Sequence, residues 1–215
     1  MLLQRFLWAF PGLHRAIGAM GISLGLLCVA GAPSSQAATV TVAGIKVEDS
    51  QDLRGNTLQL NGAGVRYKAV FKIYLAALYL GKKASTVDEV LQSPGAKRLS
   101  ITMLREIDSN ELGKLFTRGV EDNVPRSDMA RLIPDLVRMG QIFANQKKLL
   151  PGEVFLLDWT PGVGTVITVK GVAQGEPFKE PEFFTALLRI WLGKSPADYK
   201  LRDALLGKPD VDKTF

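Results

Sequence analysis

Histidine and cysteine are almost absent from this chain of 215 residues: one His, His14, and one Cys, Cys28, both within the first 37 positions. If that segment is removed, what remains has neither side chain. This excludes Ser-His-Asp and Cys-His nucleophiles, a disulfide framework, and the usual zinc, copper and haem ligands. Chemistry must then come from Arg, Lys, Tyr, carboxylates, hydroxyls and backbone. Basic runs are missing too, with only pairs such as Lys82-Lys83 and Lys147-Lys148 and no interleaved aromatics. A nucleic-acid partner is not indicated by that pattern. No internal repeat or low-complexity tract occurs, and no metal site or cofactor is expected. Glu111, Glu121 and Asp122 fall at surface helical spacing. Gly162-Val163-Gly164 lies between two strand-like runs with no helix after it, which fits a hairpin turn rather than a phosphate loop.

The first 37 residues read as an export signal. Arg5, His14 and Arg15 form a basic beginning, Ala16 to Ala30 is a short apolar run, and Gly31-Ala32-Pro33 breaks it. Ser35 and Ala37 place small residues at the minus-three and minus-one positions, so cleavage is expected before Ala38, with a periplasmic destination. The apolar run is short for a membrane span, which needs about 20 residues. Leu27 argues against lipidation of Cys28, because a small residue is expected there. Of 27 basic residues, Arg5 and Arg15 would be lost, leaving 25 against 21 acidic ones, a net charge of +4. Such a balance gives only a weak attraction to an anionic membrane surface. Residues 38–215 suffice for one domain with a sizeable core.

Within that domain, alternation and β-branched content predict strands over Thr39–Val47, Thr57–Leu60, Val65–Leu80, Arg98–Met103, Val154–Trp159 and Thr165–Val172, with Asp49–Gly55 as a turn region. Asn61 to Gly64 supplies a turn or bulge. Helices are predicted from Asp108 or Ser109 to about Asn123, over Ser127–Ala144, over Glu180–Leu192 with Pro181 near its start, and over Tyr199–Leu206 ahead of Gly207. The Glu180–Leu192 segment is apolar around most of its circumference and should be buried. Trp159 and Trp191 sit in apolar runs and read as core. Strands first, two helices, a hairpin and a buried helix make an α+β layout, a mostly antiparallel sheet with helices on one side.

The segment from Asn61 to Gly81 carries the chemistry. It sets Arg66, Tyr67, Tyr74 and Tyr79 in an otherwise apolar stretch. A guanidinium entering an apolar pocket requires an anionic or strongly polar partner, since leaving it unpaired would cost several kcal/mol. Arg66 is therefore the leading candidate for a ligand contact, the alternative being a surface arginine at a strand end.

Three segments resemble the chalcone isomerase-like family: Gly62-Ala63-Gly64-Val65-Arg66 with Lys72 to Leu80; Lys97 to Met103 with a helix ending Glu121-Asp122-Asn123; and Phe184 to Gly193 leading to Ser195-Pro196. The resemblance implies an open-faced β-sandwich, a curved sheet covered by helices with a ligand cleft between them. In the family's enzymes an arginine at the position matching Arg66 holds a phenolate. In its fatty-acid-binding members an arginine and a tyrosine clamp a carboxylate, and the tyrosine matches Tyr79. Tyr74 falls near the enzymes' strand threonine, and Asn123 near their helix-end asparagine. Positions 66 and 79 differ by an odd number, so a shared face needs a turn or bulge near Lys68 to Phe71. Two enzyme features are missing: no tyrosine lies between Tyr79 and Tyr199, and the last-helix hydroxyl is replaced by Ile190. The expectation is an exported, non-catalytic binder of a small apolar or aromatic carboxylate or phenolate, such as a fatty acid. An intramolecular lyase of chalcone isomerase type and an envelope interaction module are the alternatives.

Overall fold

The computed structural model describes residues 38–208. The expected signal segment, with His14 and Cys28, lies outside the described residues. The chain begins with two short hairpin strands, β1 (Thr39–Val42) and β2 (Ile45–Glu48), then continues through β3 (Ser50–Leu53), β4 (Asn56–Lys68) and β5 (Phe71–Leu80). After α1 (Val87–Gln92), β6 (Lys97–Met103) and β7 (Ile107–Asp108) lead into α2 (Ser109–Glu121) and α3 (Arg126–Ala144). The rest is β8 (Lys148–Leu149), β9 (Val154–Thr160), β10 (Gly164–Val169), β11 (Val172–Ala173), α4 (Pro181–Leu192) and α5 (Tyr199–Leu205). Seven strands form one antiparallel sheet in the order β11-β10-β9-β6-β5-β4-β3. No helix among the described residues is long and apolar enough to cross a membrane.

Both faces of β5 are buried, which explains its near-continuous apolar run. Tyr74, Ala76, Leu78 and Leu80 point into the main core beneath α2, α3 and α4. Leu75, Ala77 and Tyr79 point the other way, into a smaller cluster with Val47, Leu53 and Leu58. The helices are bounded by the signals their sequence carries. Asp108 caps α2 by accepting from the Glu111 N–H at 3.0 Å. Pro181 opens α4 and Gly193 ends it. Pro134 lies inside α3.

Four local readings change. Thr39–Val47 is a hairpin, because Ala43 and Gly44 adopt φ of 52° and 87° and fold the chain back in two residues. Asp49–Gly55 contains β3, a polar strand at the sheet edge whose Ser50, Gln51 and Asp52 hide its period. Val65–Leu80 is split by a two-residue turn, Ala69-Val70, so that β4 and β5 pair with each other. Helix α1 lies in a stretch for which no element is predicted, held by a capping box between Thr86 and Glu89.

The β4–β5 ladder shifts register twice, the second time between Arg66 and Tyr67, and the first shift sets the face that Arg66 takes relative to the start of β4. The β4–β5 register shifts between Leu60 and Gly62, which leaves Asn61 as an extra, bulged residue. Leu58 therefore packs in the outer cluster with Val65, not with Arg66. Because side chains alternate along a strand, removing one residue would turn Arg66 to the outer face. Asn61 is buried and fully bonded: its amide oxygen accepts from the Ala84 N–H at 2.7 Å, and its nitrogen donates to Ala84 O at 3.0 Å and Leu205 O at 2.7 Å. Beyond it, a Cβ on Gly62 would run into the backbone oxygens of Ala204 and Leu205, so glycine is what lets α5 lie directly on β4.

Candidate functional site

Between the inner face of the sheet and α2 and α4 lies a cleft of about 300 Å³. Arg66 and Tyr74 enter it from the sheet as direct cross-strand partners. Phe116, Phe155 and Trp191 form its aromatic floor, with ring centroids 5.7 Å apart for Phe116 with each of the other two. Ile190 and Leu112 add apolar wall. A larger hollow of about 470 Å³ lies between α3 and the start of α4. That one mixes Asp128, Glu180 and Glu182 with Arg131 and Arg189 and has no aromatic lining, so it is less suited to an apolar ligand.

Arg66 is half-buried, its guanidinium 5.6 Å from the centre of the Tyr74 ring. Its Nε donates to Ala197 O at 3.4 Å, a long bond. Among the described residues no carboxylate pairs with it. At the rim Arg118 stands 3.8 Å from Asp122, an exposed pair that largely cancels itself. Arg66 is therefore a cation of the cleft without an ion-pair partner among the described residues, although the Asp198 carboxylate is near enough to act on Tyr74.

Tyr74 complements it. The Trp191 indole N–H donates to the Tyr74 hydroxyl oxygen at 2.7 Å, in a buried bond that fixes where that oxygen sits. Among the described residues no acceptor takes the hydroxyl's own hydrogen, so the cleft holds a donor beside a guanidinium. Burial pushes the Tyr74 phenol up to about 12, more than the nearby Arg66 charge and the Trp191 bond pull it down. The group stays protonated, and hence a donor, throughout the neutral range. A guanidinium and a phenolic O–H converging over an aromatic floor suit a carboxylate or phenolate carried by an apolar body.

The other two candidates are elsewhere. Tyr79 is on the opposite face of the sheet, where its hydroxyl donates to Glu48 O at 3.1 Å and accepts from Gln51 Nε2 at 3.4 Å. The Ala69-Val70 turn does not bring it round: the cross-strand partner of Arg66 is Tyr74, while that of Tyr79 is Leu60. An anion held by Arg66 is out of its reach. Tyr79 instead borders a polar network in which Arg98 makes a two-pronged bond to Asp158, at 2.7 and 2.8 Å, and a further one to Gln51. Asn123 stands behind the cleft wall with its amide occupied by backbone. It donates to Gly119 O and Ser195 O at 2.9 Å and accepts from the Ser195 N–H at 2.8 Å. It thereby holds the segment after α4 whose Ala197 carbonyl receives Arg66. Gly193 makes room, since a Cβ there would meet the Asn123 oxygen.

Trp191 was read from sequence only as core. Its indole N–H is a second functional feature, and the signal available was a large polar-tipped aromatic in a helix otherwise buried all round. Ile190 lines the cleft with methyl groups. No cluster of three or more His, Cys, Asp or Glu that could hold a metal occurs among the described residues.

A family model described as chalcone isomerase-like matches residues 38–207. A sequence search of curated proteins finds no match. Among solved structures, an Arabidopsis thaliana fatty-acid binding protein is similar with a TM-score of 0.65 at 16% identity, over 79% of this chain and 96% of that one. At that identity the likeness is one of fold.

Proposed function

The chain belongs to the chalcone isomerase-like family, and from that premise we propose that it is an exported, non-catalytic binding protein for a small apolar carboxylate, such as a fatty acid or an aromatic acid. The observation that carries this reading is Arg66, a cation without a carboxylate partner among the described residues, set beside the Tyr74 donor in an apolar cleft. The fold it shares with a fatty-acid binding protein supports the choice of ligand class. Ligand pockets run from about 300 to 1,000 Å³. At about 300 Å³ this cleft suits a medium-length acyl chain or a compact aromatic acid better than a long chain.

Titration calorimetry with decanoate and with decanol, which share an alkyl chain but not a charge, tests the reading. A charge-assisted hydrogen bond contributes about 1.5–3 kcal/mol, so decanoate should bind roughly tenfold or more tightly than decanol. Equal affinities would remove the anion from the account.

Export is proposed on Ser35 and Ala37 ahead of Ala38. N-terminal sequencing of the envelope fraction should begin at Ala38. An intact Met1 form confined to the cytoplasm would contradict export.

A further inference from the structure

We propose that the tip of the β4–β5 hairpin is a membrane-docking element that seats the protein on an anionic lipid surface. Residues Tyr67, Lys68, Ala69, Val70, Phe71 and Lys72 are all exposed, and Val70 is 82% exposed, Phe71 53% and Tyr67 44%. Three large apolar side chains thus project from one turn, with a lysine on each strand.

Folding does not ask for this composition. The three other two-residue hairpin turns among the described residues are Ala43-Gly44, Arg54-Gly55 and Lys170-Gly171, each with glycine at the second position and positive φ at both. That is the turn chemistry a tight antiparallel hairpin favours. The β4–β5 turn has Ala69-Val70 instead, with an alanine at φ 53° in the first position, where glycine, asparagine or aspartate would serve the backbone better, and a β-branched apolar residue beside it. An apolar tip kept against turn preference points to something outside the chain.

Charge identifies the partner. Lys68 and Lys72 flank the tip, and the Arg105 guanidinium lies 4.3 Å from the centre of the Phe71 ring. Residues 67–72 contain no carboxylate. The nearest one, Asp198, is taken up by the backbone N–H groups of Tyr67, Lys200 and Leu201 at 2.8 to 3.1 Å. Aromatic and aliphatic side chains ringed by long cationic ones match a lipid interface, where the rings sit at headgroup depth and lysines reach anionic headgroups. A protein partner fits less well, because stable protein interfaces bury about 1,200–2,000 Å² in total and this tip is a single turn.

Placement gives the docking a use. Tyr67 and Lys68 continue the strand from Arg66, so at about 3.4 Å per residue the tip begins roughly 7 Å beyond the guanidinium. A docked tip would hold the cleft next to the phase in which an apolar acid dissolves. The docking surface itself does not depend on the binding function.

The test is co-sedimentation of the protein, expressed as the full chain and processed by the cell, with vesicles of seven parts phosphatidylcholine to three parts phosphatidylglycerol. The wild type should sediment with these vesicles, less so in high salt and less with phosphatidylcholine alone. Val70→Asp combined with Phe71→Asp should lower partitioning by about tenfold or more, because burial of two apolar side chains is lost and two charges oppose the surface. The melting temperature and the affinity for decanoate in solution should be unchanged. Equal partitioning of wild type and double variant, or no sedimentation of the wild type with either vesicle, would overturn the proposal, as would tip-dependent capture of a soluble protein without vesicle binding. Failure of decanoate to bind in both proteins would count against the binding function, while the vesicle comparison still decides the docking.

Discussion

Replacing Arg66 with alanine is expected to weaken decanoate binding by about tenfold to 150-fold, the equivalent of 1.5–3 kcal/mol for a charge-assisted hydrogen bond. The melting temperature should stay the same or rise, because the side chain gives the fold only a long bond to Ala197 O and a loose contact with the Tyr74 ring. Arg66→Lys should recover part of the affinity: lysine restores charge but not the planar fork that grips a carboxylate with two parallel bonds. The pH profile provides a second readout. Tyr74, pushed up to about 12 by burial, keeps its donor hydrogen below pH 10. Wild-type affinity should therefore be level across the neutral range and fall only as pH rises through the range in which the phenol ionises. A large loss of melting temperature in Arg66→Ala would instead assign the residue to structure.

Replacing Asn61 with alanine is expected to be costly twice over. Three hydrogen bonds to the backbone of Ala84 and Leu205 disappear from a buried site. At about 0.5–1.5 kcal/mol each, with buried groups left unpaired, the loss should be about 2–4 kcal/mol by urea unfolding. The second cost falls on the cleft. Without the amide that fixes the extra residue, β4 can slip by one position, and a slip by one turns Arg66 away from the helices. Decanoate affinity should therefore fall in a residue that does not line the cleft. A variant of normal stability and normal affinity would show that the bulge is held by the strands alone.

How much could be read from the sequence depended on whether the signal was local. Asp108, Pro181 and Gly193 mark helix ends through their own caps and backbone preferences, and α2 and α4 lie where those residues put them. Arg66 stood out because a guanidinium in an apolar run must be answered somewhere. The hairpin turn at Ala69-Val70 carries no turn-forming residue, and only the odd spacing of Arg66 and Tyr79 pointed to a turn or bulge near Lys68 to Phe71. Edge strand β3 was hidden by its polar side chains, which an edge tolerates. Tyr74 and Tyr79 could not be told apart by composition, since both are phenols in the same apolar strand. What separates them is their odd spacing within one uninterrupted strand, and which of the two shares a face with Arg66 is set across the Ala69-Val70 turn and the register shift between Arg66 and Tyr67. The Trp191 to Tyr74 bond spans 117 positions and has no local trace at all.

The most direct test of the binding function is to locate a bound acid. In crystals of the protein grown with a medium-chain fatty acid carrying bromine at its far end, the carboxylate should lie within hydrogen-bonding distance of Arg66 and the Tyr74 hydroxyl, with the anomalous bromine signal over Phe116 and Phe155. A bromine signal elsewhere on the molecule, or a cleft that stays free of ligand at saturating acid, would contradict it.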